Sequence, residues 1–578
     1  HFKELIENIK TQPLSVQNAI SEGFCKHIQQ MSGNKDAFMM VEQLVNADIN
    51  HPFFDEENLC SGLGSKLFLA MSTVNPAAIA SNLRKVFEHK AITWLREHVN
   101  GGERRNIVWA LERLCFAHES YHDGVLMMAR LAVAENEDIG NNATGQLIQL
   151  FHISLAGTEV NLKERLDTLK ELVDKGEEYI PVVMRCFDAA LRTGGFVRVG
   201  GAEKFGFENR KDYTPKTWAD IFEYWYGCRD LLLEWMNKKP ELVDLLAEMV
   251  EKNVYNWIRG GQKDILVPLL EKIAERKNYH WDKGYEALSQ TVYTFGIDVE
   301  ALGLSALMAK MRNESFKTQL NEARFKMHGH YHLQGKELME LSKELFTPLA
   351  AVFIDKEIYA NVDEVKTLLE DNEYIPIDFV RTLVTTASDE QLGILFDTIF
   401  KVLTTKSRGF YSPFLGNLSS YSKDRKPLLE FLERLRNERH ELLYVSLMAN
   451  TENKKLSHFH QLFVEQKNQD LEIDYLPIYL RFFRPDKGGY YLLMLKALRD
   501  NFPDRPNDLI GYVVTAGFMM REEENPEAVA IVKDALLKYQ INGETGHMLH
   551  EYSRILIETL QLWHDPEFAK QVNRKFID

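Results

Sequence analysis

Residues 105–175 read RNIVWALERLCFAHESYHDGVLMMARLAVAENEDIGNNATGQLIQLFHISLAGTEVNLKERLDTLKELVDK. Apolar residues fall at Ile107, Leu111, Leu114 and Cys115, then at Val125, Met128, Ala129 and Ala132. They recur at Leu147, Leu150 and Phe151, and again at Leu162, Leu166, Leu169 and Val173. Each set keeps the i, i+3, i+4 spacing of one helix face. The breaks between sets are short and polar. Amphipathic helices joined by short turns and stacked on one another make an α-solenoid. The pattern therefore predicts an all-α fold of degenerate helix pairs, a TPR-like superhelix.

Composition agrees with that reading. A chain of 578 residues exceeds what one core fills, so several domains or one extended array are expected. Its 33 glycines and 17 prolines fall below the average share of about 12%, which suits helices better than a sandwich or barrel. The formal charge of −16 argues against broad nucleic-acid or membrane-surface binding. No apolar run reaches the roughly 18 residues of a membrane span. The five cysteines, at 25, 60, 115, 186 and 228, contain no C-x-x-C and read as reduced thiols of a cytoplasmic protein. The chain begins at His1 with nothing like a signal peptide, and the simplest expectation is a piece of a longer product.

Four regions follow along the chain. Helical repeats are expected over 1–192, a glycine-rich insertion over 193–216, further repeats over 217–325, and a last block over 326–578. Irregular loops are expected in the last block near 404–426 and 484–491. Thr217 and Asp220 form a capping-box-like start for a helix at Trp218. Pro240 opens a helix whose face carries Leu242, Leu245, Leu246 and Met249. Asp264 is a candidate cap for the next, with Leu269, Leu270 and Ile273 inward. The pattern blurs around Met311–Gly335. Asn525-Pro526 and Asp565-Pro566 read as cap-plus-first-position starts, with Leu549, Tyr552 and Leu556 on one face between them. Trp109, Trp218, Trp225, Trp235 and Trp257 all lie within helical patterns and are expected in packing.

The first half of the chain also resembles a known family. The block Ile107–Leu114, the element Asn141-Asn142-Ala143-Thr144-Gly145, the pair Gly157-Thr158, the loop at 193–206 and Pro215-Lys216-Thr217-Trp218 resemble the C-terminal helical-repeat regions of bacterial STAND-type NTPases of antiviral defence (AVAST-like). The resemblance covers roughly the first 300 residues and rests on scaffold motifs. It implies a sensor region. Such a region recognises a phage protein, releases an ATP- and Mg-dependent NTPase core to oligomerise, and lets a separate effector act. This chain has no Walker A loop, so any NTPase activity is expected outside it.

Three constellations invite chemistry. His118-Glu119-Ser120-Tyr121-His122 matches H-E-x-x-H. On a helix, that spacing puts two imidazoles on one face for zinc, with Glu119 as base and Glu135 or Glu137 as a third ligand. The match falls where one helix ends and the next begins, and Gly124 follows, so a structural turn is the competing reading. His328-Gly329-His330-Tyr331-His332 alternates histidines, which reads as a surface loop or an adventitious metal contact. Gly62-Leu63-Gly64-Ser65-Lys66 has the wrong order for a phosphate loop.

Recognition is the remaining class. The loop 193–216 interleaves Phe196, Arg198, Lys204, Phe205, Arg210 and Tyr213, the mixture enriched in interface anchors. Arg408, Phe410 and Tyr411 make a second such set, and Arg484, Tyr490 and Tyr491 a third. Each set reads as a protein-binding surface, as self-packed loop, or as a stacking platform for single-stranded nucleic acid, the last disfavoured by the acidic charge. The leading expectation is a ligand-sensing repeat module. A general protein–protein adaptor is the alternative, and a zinc hydrolase using His118, Glu119 and His122 is the third.

Overall fold

Among the described residues the amphipathic periods close into helices almost throughout. The computed structural model describes Glu4 and residues 8–9, 11–46, 55–198, 203–205, 208–330, 332–370, 376–405, 412–423 and 425–437. It also describes scattered positions between 443 and 510, and residues 526–538 and 565–577. The expected set Arg408, Phe410 and Tyr411, the set Arg484, Tyr490 and Tyr491, and the face Leu549, Tyr552 and Leu556 lie outside the described residues.

The described residues divide into two compact units, His1–Asn313 and Glu314–Asp578. The first holds α1 (Leu14–Gln30), α2 (Lys35–Asn46), α3 (Glu56–Leu59), α4 (Gly62–Met71), α5 (Pro76–Phe87) and α6 (Ile92–His98). It continues with α7 (Gly101–Phe116), α8 (Tyr121–Val133), α9 (Ala143–Gln149), α10 (Leu162–Val173), α11 (Ile180–Ala190) and α12 (Trp218–Lys238). It ends with α13 (Val243–Arg259), α14 (Lys263–Arg276), α15 (Asp282–Phe295), α16 (Val299–Leu302) and α17 (Ser305–Met311). The second unit runs α18 (Phe316–Gly329), α19 (Gly335–Asp355), α20 (Val362–Glu370), α21 (Ile377–Thr386), α22 (Asp389–Leu403), α23 (Pro413–Tyr421) and α24 (Lys426–Asn437). It adds α25 (Pro526–Lys538) and α26 (Pro566–Ile577). Strand structure among the described residues is one antiparallel pair, β1 (Lys204–Phe205) with β2 (Glu208–Asn209).

The all-α class is thus what the chain adopts. Within each unit, helices touch their next-but-one neighbours. In the first unit α9, α11, α13, α15 and α17 stack in one row, and α10, α12 and α14 in another. In the second, α18, α20, α22 and α24 form one row and α19, α21 and α23 the other. The stripes read from residues 105–175 line the core of the first unit, where Ile107, Leu111, Leu114, Cys115, Val125, Met128, Leu147, Phe151 and Leu169 are all buried. Close approach of α7 and α8 explains Gly124. A side chain there would meet the backbone of Leu114 and Cys115 at 3.1 Å.

Several expectations are refined. The last boundary, expected at 325/326, falls inside α18, and the units part after Asn313 instead. The stretch 404–426 contains α23, started by Pro413 at its first position, with Phe414, Leu415 and Leu418 buried. Trp225, Trp235 and Trp257 are core residues, but Trp218 is 67% exposed and Trp109 is also exposed. Leu245 likewise faces outward beside buried Leu242, Leu246 and Met249. Gln262, not Asp264, precedes the first residue of α14, and Asp264 sits in its first turn.

Candidate functional site

The site grows from the scaffold motifs. Arg104 is wholly buried, and its guanidinium donates to the Leu131 carbonyl and the Glu135 carboxylate, each at 2.9 Å. Glu135 in turn accepts from the amide and hydroxyl of Thr144, both at 2.9 Å. Asn142 caps α9 by accepting from the Gly145 amide at 2.8 Å. The element Asn141–Gly145 is therefore a clamp that holds the neutralising carboxylate of a buried cation. Glu137 lies 3.9 Å from the same guanidinium. Both acids considered as zinc ligands are engaged by Arg104, which corrects that reading.

Gly157 and Thr158 do a related job. Gly157 has φ of +77°, which favours glycine, and a side chain there would press on Gln149 and Arg198. The amides of Gly157 and Thr158 both donate to the Asp212 carboxylate at 3.1 Å. The Tyr213 amide donates to the Thr158 carbonyl at 2.7 Å. Beneath this contact lies Arg165, fully buried, with the Tyr213 ring 5.3 Å from its guanidinium. Arg165 donates to the carbonyls of Val160 at 2.8 Å, His152 at 2.6 Å and Leu150 at 3.4 Å. Its Nη2 has no hydrogen-bond partner among the described residues. Burial pulls the Arg165 pKa down. Burial, with the Arg192 and Arg165 charges, brings neighbouring His152 to about 4, so that imidazole is neutral at pH 7.

Other described residues of the loop are held along the same side. Phe205 is 1% exposed and sits with Phe116 and Ala117. Arg210 lies 4.4 Å over the Phe205 ring and makes a forked pair with Glu119 at 2.8 and 3.0 Å. It also reaches Glu159 at 3.2 Å. Burial tends to raise the Glu119 carboxyl, but its bonds to Arg210 and its own amide, with the Arg210 and His118 charges, hold it below its usual range. Arg198 pairs with Glu203 at 2.6 Å and lies 5.4 Å over Phe116. Phe196 is half-buried, its ring 5.4 Å from His152. Lys204 is exposed.

The structure thus brings Phe196, Arg198, Phe205, Arg210 and Tyr213 together, facing inward more than outward. The expectation that Phe205 meets a partner is corrected, because its ring is spent in the Phe116 slot. Arg198 and Arg210 are likewise engaged by the chain's own carboxylates. What the loop shows outward is Val197, 68% exposed, with Lys204 and Lys211, and the exposed Trp218 follows it. A cleft of about 290 Å³ opens beside it, lined by Asn161, Leu162, Lys163, Leu166, Tyr213, Asp220, Glu223 and Tyr224. Sequence reading passed over Arg165, Asp212 and Glu159. Arg165 had a signal, since it stands on the apolar stripe between Leu162 and Leu169. The two acids had none.

The H-E-x-x-H residues point apart. His118–Ser120 is a single 3-10 turn, and α8 starts at Tyr121. His118 pairs with Glu164 at 2.9 Å and His122 with Glu171 at 2.6 Å, both on α10, while Glu119 is held by Arg210. Among the described residues, no group of three or more histidines, cysteines or carboxylates is placed to hold a metal ion. His330 and His332 are exposed, with ring centroids 5.7 Å apart. No helix among the described residues is long and apolar enough to cross a membrane.

Comparison with protein-family models, with curated proteins and with solved structures gave no match.

Proposed function

We propose that this chain is a recognition module. In this reading, degenerate helix pairs form an α-solenoid that binds a foreign phage protein. NTPase and effector parts outside these residues respond by ATP- and Mg-dependent oligomerisation. The two stacked helix rows within each unit support the solenoid part of the reading. The observation that carries recognition is the loop at 193–216. Its described residues are pinned to the helices by a buried arginine, a carboxylate on two amides and a forked ion pair, yet Val197 is bare and the bare Trp218 follows. A loop so firmly seated presents its outer residues at little ordering cost, which favours tight binding. The link to antiviral defence rests on the sequence resemblance.

The test is capture. The purified chain is used to recover proteins from phage-infected and uninfected cells. The expected result is a phage-encoded protein retained only from infected cells, and lost with Val197→Asp plus Trp218→Asp at unchanged melting temperature. Recovery of the same host proteins from both cell samples would favour a general adaptor and overturn the sensor reading.

A further inference from the structure

We infer that residues 208–216 form a releasable strap, and that the seat beneath them binds a peptide carrying a carboxylate beside an aromatic ring. This rests on the recognition reading and names the chemistry of what is recognised.

The seat is built without help from the strap. Thr158 is fixed by its hydroxyl, which donates to the Phe116 carbonyl at 3.4 Å and accepts from the Val160 amide at 3.2 Å. The Glu159 amide donates to the Phe116 carbonyl at 2.9 Å. Arg165 is held by three carbonyls of the same segment. Its hydrogen bonds among the described residues go to backbone carbonyls and include no carboxylate. Vacated, the seat would present the two amides that now hold Asp212, a backbone anion site, with the Arg165 guanidinium bared beneath the neighbouring Tyr213 position. Asp212 fills it now, and the Tyr213 ring lies over the guanidinium.

The strap, by contrast, is held mainly by polar contacts. Asp212 and Arg210 carry it, and the Arg210 pair with Glu119 is partly open to solvent. Charged clasps of this kind are exchanged more easily than packed apolar faces. The strap therefore mimics the ligand. A tethered mimic acts at an effective concentration on the order of millimolar, so a short free peptide does not displace it. A protein that offers the same acid–aromatic pair and also touches Val197 and Trp218 has the extra contacts to do so.

The experiment uses the full chain with Asp212→Ala. Trypsin cleavage after Arg210 and Lys211 reports the strap. Anisotropy of a labelled peptide NRKDYT, the sequence of residues 209–214, reports the seat. The expected result is at least about ten-fold faster strap cleavage in a chain that still folds and unfolds cooperatively, because bonds to a charged group are lost. The variant should also bind the peptide at least about ten-fold better than the unaltered chain does, and alanine in place of the peptide's aspartate should abolish that binding. A variant with native strap protection would overturn the inference, as would an open strap with no peptide binding. A variant that fails to fold would overturn it too, since the seat would then depend on the strap. Each of these outcomes leaves the capture of a phage protein by the unaltered chain to be judged separately.

Discussion

Arg165 and Arg104 show how much a single residue tells. Arg165 interrupts the apolar stripe of α10, Arg104 stands one turn before that of α7, and both are buried without exposure. That interruption is legible in the sequence and marks a polar network. The partner is not legible, because Glu135 lies 31 residues from Arg104 and Asp212 farther still from Arg165. Folding alone brings them together. Trp218 shows the opposite failure: an aromatic in a helical pattern reads as packing, yet the first position of α12 points outward. Two outcomes follow at this scale. Glu135→Ala should cost roughly 3 kcal/mol in denaturant unfolding, because it strands a buried cation, and Arg104→Met should cost less. The Glu119 carboxyl is depressed in the folded state, so its contribution to holding the strap is present above the unfolded value of about 4.3 and lost as pH falls through the folded one. Pepsin cleavage of the loop should therefore accelerate as pH drops below about 4, and Glu119→Gln should flatten that dependence.

At the level of elements, ends and turns carry the information. The end of α11 is closed by tryptophans from later helices. The Trp225 indole donates to the Ala190 carbonyl at 3.0 Å and the Trp257 indole to the Leu191 carbonyl at 2.9 Å. These satisfy carbonyls that a helix leaves open at its end. Pro268 inside α14 has no amide for the Asp264 carbonyl, and Arg229 supplies the missing donor at 2.8 Å. Neither arrangement is visible in local sequence. The capping box is. Thr217 and Asp220 make both reciprocal bonds that their spacing predicts. Thr217→Ala should lower stability by about 1 kcal/mol in thermal or urea unfolding, and Thr217→Gly by a few tenths. α23 was missed because its apolar run is short and sits among serines and basic residues. The H-E-x-x-H turn is a staple onto α10 through exposed pairs. His118→Ala with His122→Ala should change stability by less than about 1 kcal/mol, and stoichiometric zinc lost with those substitutions would contradict that account.

For the whole molecule, helical period and turn spacing made the all-α class legible, since each stripe of residues 105–175 lies in the core of the first unit. The division after Asn313 was only blurred in the sequence, because α18 begins within three residues of it and continues the helical pattern. The proposed recognition site is half legible. Its loop stands out by its glycines and its mixed aromatic and basic residues, but which of those residues face inward depends on a seat assembled from the end of α7, the turn after it, residues 150–160 and α10. The proposal of a recognition module also predicts that the chain alone binds no ATP, and saturable micromolar binding in calorimetry would count against it. The most direct measurement is hydrogen exchange on the chain with and without the phage protein that the capture experiment is expected to recover. Slowed exchange is expected at residues 193–198 and at the start of α12, with altered exchange at 208–216 and 156–160. A footprint confined to the second unit, with residues 193–216 unchanged, would contradict the recognition reading.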